Sequence, residues 1–88
     1  MTDHGHGSFE RLLAFLVRLE QAKIAYRLGH VRESIMIELD VPGEHWEVEF
    51  FPDGQIEVER FRSDGVVEGN DSMLERLITQ HGSLAPDD

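Results

Sequence analysis

The chain has 88 residues, no cysteine, eight Lys/Arg and 18 Asp/Glu, for a formal net charge of −10. That length supports one small domain with a modest core, the missing cysteines exclude disulfides and thiolate zinc sites, and the negative charge argues against nucleic acid or an anionic membrane as a direct partner. No apolar stretch approaches the roughly 20 residues that span a bilayer, and no basic segment followed by an apolar one opens the chain, so a cytoplasmic protein without a secretory signal is the expectation.

Residues 1–7 hold two glycines and no apolar periodicity and read as a flexible tail. A single α+β domain is expected over 8–82, with a frayed C-terminus over 83–88. Ser8 is predicted to N-cap a helix beginning at Phe9, with Glu10 in the first turn, where the helix dipole favours a negative charge. Phe9, Leu12, Leu13, Leu16 and Leu19 recur at helical spacing and Phe15 widens the stripe, so one face of this helix is expected to cover a core.

The period then changes from about 3.6 to 2. Ile24, Tyr26 and Leu28 alternate with Lys23, Ala25 and Arg27 up to a polar break at 29–33. Ile35, Ile37, Leu39 and Val41 alternate with Met36, Glu38 and Asp40, and Pro42-Gly43 then makes a turn. Trp46, Val48 and Phe50 alternate with Glu47 and Glu49 as far as a second turn at Pro52-Asp53-Gly54. Ile56 and Val58 alternate with Glu57 and Glu59, while Phe61 falls on the opposite parity, which a bulge near Arg60 would reconcile with the core. Val66-Val67 is read as a short strand or an extended connection. Ser72-Met-Leu-Glu75 matches a capping box, which predicts a second helix from Met73 with Met73, Leu74, Leu77 and Ile78 inward and Gly82 as its stop. The expected order is α-β-β-β-β-α: a four-stranded antiparallel meander with both helices packed on one face.

The other face of that sheet carries the strongest signal. Between Glu33 and Glu59 the chain has nine carboxylates and no Lys or Arg. Period-2 geometry places Glu38, Asp40, Glu47, Glu49, Glu57 and Glu59 together, with Met36 and Phe51 on the same parity as apolar points within the charge. Folding does not require such a field, because like charges facing one another across strands are unfavourable. Plain solvation is the alternative reading, with Lys23, Arg27, Arg60 and Arg62 compensating across strands. Trp46 has core parity.

Chemistry-bearing constellations are sparse. The serines sit in caps, turns or strand starts, no phosphate loop or nucleophile elbow is present, and the paired carboxylates fall on an open face rather than in a cleft. His30, His45 and His81 are scattered near turns or a helix end. His4 and His6 lie in the tail, where Thr2-Asp3-His4 would suit square-planar Cu(II) or Ni(II) if Met1 is removed. No catalytic residue, cofactor or metal site is assigned.

Over Phe9 to about His81 the chain resembles a family of small, uncharacterised bacterial proteins. The residues that carry it are Leu12-Leu-Ala-Phe-Leu, Ala22-Lys-Ile-Ala-Tyr26, Val31-Arg-Glu-Ser-Ile-Met36 and above all Val41-Pro-Gly-Glu-His-Trp-Glu-Val-Glu-Phe-Phe-Pro-Asp-Gly54. The resemblance implies no reaction, ligand or catalytic residue. His45 stands where it leads one to expect Arg, which would remove a permanent charge. In size, acidity and expected fold the chain is also similar to immunity proteins, which plug the basic active sites of toxins. The expectation is therefore a non-enzymatic module that presents Glu38, Asp40, Glu47, Glu49, Glu57 and Glu59, with Met36 and Phe51, to a basic protein surface such as a toxin or a nucleic-acid-binding protein. A homodimer joined through an exposed edge strand is the alternative, and a small carboxylate-dependent hydrolase or metalloenzyme is a third class.

Overall fold

The computed structural model describes residues 7–82. Helix α1 (Ser8–Gln21) is followed by strands β1 (Tyr26–Val31), β2 (Ser34–Val41), β3 (Glu44–Phe50), β4 (Ile56–Arg62) and β5 (Gly65–Gly69), and then by helix α2 (Ser72–His81). The sheet is an antiparallel meander in the order β1-β2-β3-β4-β5, each strand paired with its sequence neighbour. It has five strands where the periodicity predicts four. Val66-Val67 is too short to show alternation, but it pairs fully with β4, from Arg62↔Gly65 to Val58↔Gly69.

Turn chemistry sets the register. Pro42 presets φ, and Gly43 takes φ 80°, the conformation that a Pro-Gly type II turn requires at its second central residue. Gly54, at φ 94°, closes the β3–β4 loop, where Gly54 N–H bonds to Phe51 O and Phe51 N–H bonds to Gln55 O, both at 3.0 Å. β3 and β4 then pair without interruption from Glu44↔Arg62 to Phe50↔Ile56. There is thus no bulge near Arg60. Phe61 stays on the outer face opposite Val66, and Arg60 and Arg62 point to the helix side.

Both helices lie on the inner face. Leu12, Phe15 and Leu19 of α1 and Leu74, Leu77 and Ile78 of α2 close over Ile37, Leu39, Trp46, Val48, Phe50 and Val58. The Phe15 and Phe50 rings meet at 5.8 Å, within the range in which aromatic pairs add to simple burial. Trp46 is fully buried, as its parity indicates. The stripe of α1 is only half used, however: Leu12, Phe15 and Leu19 are buried, while Phe9 and Leu13 stay exposed.

The helix ends differ from expectation. α1 begins at Ser8 with Gly7 as N-cap. Ser8 Oγ donates to Phe51 O at 2.8 Å, with Pro52 O at 3.1 Å, and so ties the helix start to the β3–β4 loop. The far end of α1 closes with Lys23 N–H to Glu20 O and Ile24 N–H to Leu19 O, the paired bonds of a Schellman motif. Lys23 occupies the left-handed position there, at φ 63°. α2 begins at Ser72 rather than Met73, with no side-chain cap, so the expected capping box does not form. Ser72 bonds Asn70 instead, and Glu75 accepts two bonds from Arg18 of α1 at 2.5 and 3.0 Å. Arg11 similarly reaches Gly54 O and Asp71. Exposed pairs of this kind are worth about 0–1 kcal/mol each, and they orient the helices more than they hold them.

The expected tail and frayed C-terminus, including His4 and His6, lie in 1–6 and 83–88, outside the described residues; only Gly7 of the expected tail is described, as the N-cap of α1. Among the described residues, no helix is long and apolar enough to cross a membrane.

Candidate functional site

Glu38 pairs with Glu47, Glu47 with Glu59, and Glu59 with Glu68. Partners in antiparallel register share a face, so four glutamates stand in one row across β2 to β5. At a strand spacing of about 4.8 Å the row is roughly 14 Å long. Arg27 of β1 heads it opposite Glu38, with its guanidinium 3.3 Å from Glu38 Oε1 and 3.6 Å from Asp40 Oδ2. A second row sets Met36 opposite Glu49 and Glu49 opposite Glu57. A third runs Asp40, His45, Phe61, Val66.

The six expected carboxylates and Met36 therefore share the outer face. Phe51 does not. It lies one residue beyond β3, in the turn, and lines an apolar cavity of about 220 Å³ at the start of α1 with Phe9, Leu12, Ile35 and Pro52. Expected compensation is also mostly absent: Arg60 and Arg62 are on the helix side, which leaves Arg27 as the permanent cation paired to the outer face among the described residues. The sequence does not place Glu68 in the row, because Val66-Val67 reads either as a short strand or as an extended connection. Val66-Val67-Glu68 between two glycines is the signal that could have found it.

The electrostatics follow the rows. Partial burial pushes the Glu59 carboxyl up, and Glu68 and Glu47 on either side push it further. The Asp40 carboxyl is pulled down by its hydrogen bond with His45 and by Arg27. His45 Nδ1 lies 2.8 Å from Asp40 Oδ1 and Nε2 lies 3.4 Å from Glu47 Oε2, with the ring 5.7 Å from that of Phe61. Asp40 first and Glu47 second raise the imidazole above its ordinary value, against the opposing effect of burial. One titratable cation is thus set into the acidic face, at the position where resemblance suggested an Arg. Ser34 Oγ is 2.5 Å from Glu49 Oε2, which holds that carboxylate at the edge of the field.

A different arrangement surrounds Glu44, on the inner face where β3 begins. Its side chain is only 11% exposed. Trp46 Nε1–H donates to Glu44 Oε1 at 2.9 Å, and His81 Nε2 of α2 lies 3.3 Å from the same oxygen. Arg62 is 3.6 Å from Glu44 Oε2, and Arg60 Nε is 3.9 Å from it. The Arg60 guanidinium sits 5.9 Å above the Trp46 ring, and its Nε is buried without a hydrogen-bond partner. His81, expected only near a helix end, pins the last turn of α2 to the sheet through Glu44.

Among the described residues, no three His, Asp or Glu converge closely enough to hold a metal ion. Compared with known proteins, the chain matches no family model, no curated protein and no solved structure.

Proposed function

We propose that this protein is a non-enzymatic binding module whose outer sheet face docks on a basic protein surface. The observation that carries the reading is the row Glu38–Glu47–Glu59–Glu68, in which each carboxylate faces another across the strands. Each such pairing costs the fold some tenths of a kcal/mol. Lys or Thr at any of these positions would relieve it, so a charge requirement outside the fold gives the row a reason to exist. A line of carboxylates at strand spacing offers a partner the kind of target that a row of phosphates does, which suits a toxin or a nucleic-acid-binding protein. Fields of one sign speed association and select partners. Binding is favoured over catalysis because the acids stand in a row on an open face rather than in an enclosed cleft that could hold a substrate.

The test is charge reversal. The Glu47→Lys, Glu59→Lys double variant, checked for retained fold by circular dichroism, should lose capture of basic proteins that wild type retains at low salt. Wild-type capture should weaken steeply between about 50 and 300 mM salt, as screening predicts. Capture that is indifferent to both the substitutions and the salt would overturn the reading.

A further inference from the structure

Two helices do not cover five strands. A helix with its side chains is about 10 Å wide and strands lie about 4.8 Å apart, so a pair covers roughly four. The strand left over on the α1 side is β1. Leu28 is opposite Ile37 in register and on the same face, yet Ile37 is fully buried and Leu28 is 55% exposed. On the side of α1 turned away from α2, Phe9 and Leu13 are exposed by 69% and 44%. Phe9 lines the same cavity as His30 of β1, which sets the start of this apolar strip of α1 along the β1 side of the sheet.

The strip adjoins a free sheet edge. Among the described residues nothing pairs with the outer side of β1, so alternate residues leave N–H and C=O groups open there. Natural edges are usually blocked by proline, bulges or charge. β5 fits that rule: it is five residues long, ends in glycine on both sides, and carries Glu68 at the end of the glutamate row. β1 is less guarded: it pairs without a break over six residues, contains no proline, and its Arg27 is engaged by Glu38 and Asp40 on the outer face. From Lys23 to Arg32 the chain has three basic residues and no acid, although its total charge is −10. β1 therefore brings no acidic side chain of its own to a second copy.

We propose that the protein forms a two-fold homodimer in which β1 pairs antiparallel with β1 of a second copy, burying Phe9, Leu13 and Leu28 of both. A two-fold axis through Leu28 sets Leu28 against its own copy and Arg27 against Gly29 of the second copy, which has no side chain to obstruct it. Tyr26 then faces His30 of the second copy. Tyr26 O–H already donates to Glu20 at 2.6 Å, so a carboxylate waits where that imidazole arrives. The product is a continuous ten-stranded sheet with both glutamate rows on one side. The pairing does not depend on what those rows bind.

Sedimentation velocity on the full chain from about 1 to 200 µM tests it. A dimer with Kd below about 20 µM is expected, and it should tighten as salt screens the repulsion between two chains of charge −10. Leu13→Lys and Leu28→Lys alter exposed positions and should each weaken the dimer at least tenfold with unchanged circular dichroism. Val66→Lys on β5 should leave it intact. A monomer at every concentration overturns the proposal, and so does a dimer that survives either Lys substitution or is lost with Val66→Lys.

Discussion

Glu44 and Glu47 stand three residues apart on the same strand and live in opposite worlds. Glu44 points under α2 and is surrounded by donors: the Trp46 indole, His81 and two arginines. Glu47 points to the outer face between Glu38 and Glu59, and its own contact is a 3.4 Å approach of His45. One carboxylate is complete within the fold. The other would be better off replaced, as far as folding is concerned. The contrast separates acids that build the structure from acids that the structure tolerates, and only the second kind is available to something outside.

The largest expected effect comes from breaking the first environment. Glu44→Ala would strand the Trp46 N–H, His81 and Arg60 in a nearly closed site. Losses on leaving buried polar or charged groups unpaired are about 2–4 kcal/mol, which urea denaturation should show as a lowered midpoint. Glu44→Gln keeps an acceptor for Trp46 and should lose less. Equal losses for both variants would mean that charge, not the indole bond, holds the site.

His45 offers a way to sharpen the comparison by pH. Its folded value lies above the ordinary 6.5, chiefly through Asp40, so its contribution to stability is complete below about 6.5 and is lost as pH rises through the folded value. Glu59, raised by partial burial and its glutamate neighbours, has the same sign in its own lower window: stability falls as pH climbs from the ordinary value of 4.5. Asp40 has the opposite sign and loses its contribution as pH falls through a value below 3.8. Histidine NMR titration should place the His45 transition above 6.5, and Asp40→Asn should bring it down. In His45→Asn, the decline in stability above 6.5 should flatten. The smallest effect is the most telling for the outer face: Glu59→Gln should raise stability by about 0.2–1 kcal/mol at neutral pH. A loss instead would show that Glu59 has a stabilising partner and that the row is not merely tolerated.

Much of this was legible from spacing alone. Period 3.6 and then period 2 located α1 and the strands through β4, and Pro42-Gly43 and Pro52-Asp53-Gly54 marked their turns, because local backbone preference and the burial pattern agree there. Parity was enough to gather six carboxylates on one face. What failed was whatever depends on a neighbour. β5 is too short to alternate, so Glu68 was left out of the row. The bulge near Arg60 assumed that Phe61 must be inside, but the inner position opposite Trp46 is taken by Arg60, whose guanidinium lies over the indole. Ser8 and Ser72 have cap chemistry, yet each hydroxyl finds a better-placed acceptor, in the β3–β4 loop and in Asn70. Leu28 has core parity, and only the width of two helices against five strands explains why it is exposed.

The meander has one more consequence, and it concerns time. Every strand pairs with its neighbour in sequence through a short connection, so each step of sheet assembly closes a small loop at little entropic cost. The distant closures are those that bring α1 to the far end of the chain, Arg11 to Asp71 and Arg18 to Glu75. By the sequence separation of its contacts the chain belongs with mixed α/β domains, which fold more slowly than helical bundles and faster than sandwiches built on long-range strand pairing. The sheet should zip from hairpin to hairpin, leaving the docking of the two helices over Trp46 as the event that commits the molecule to its native state.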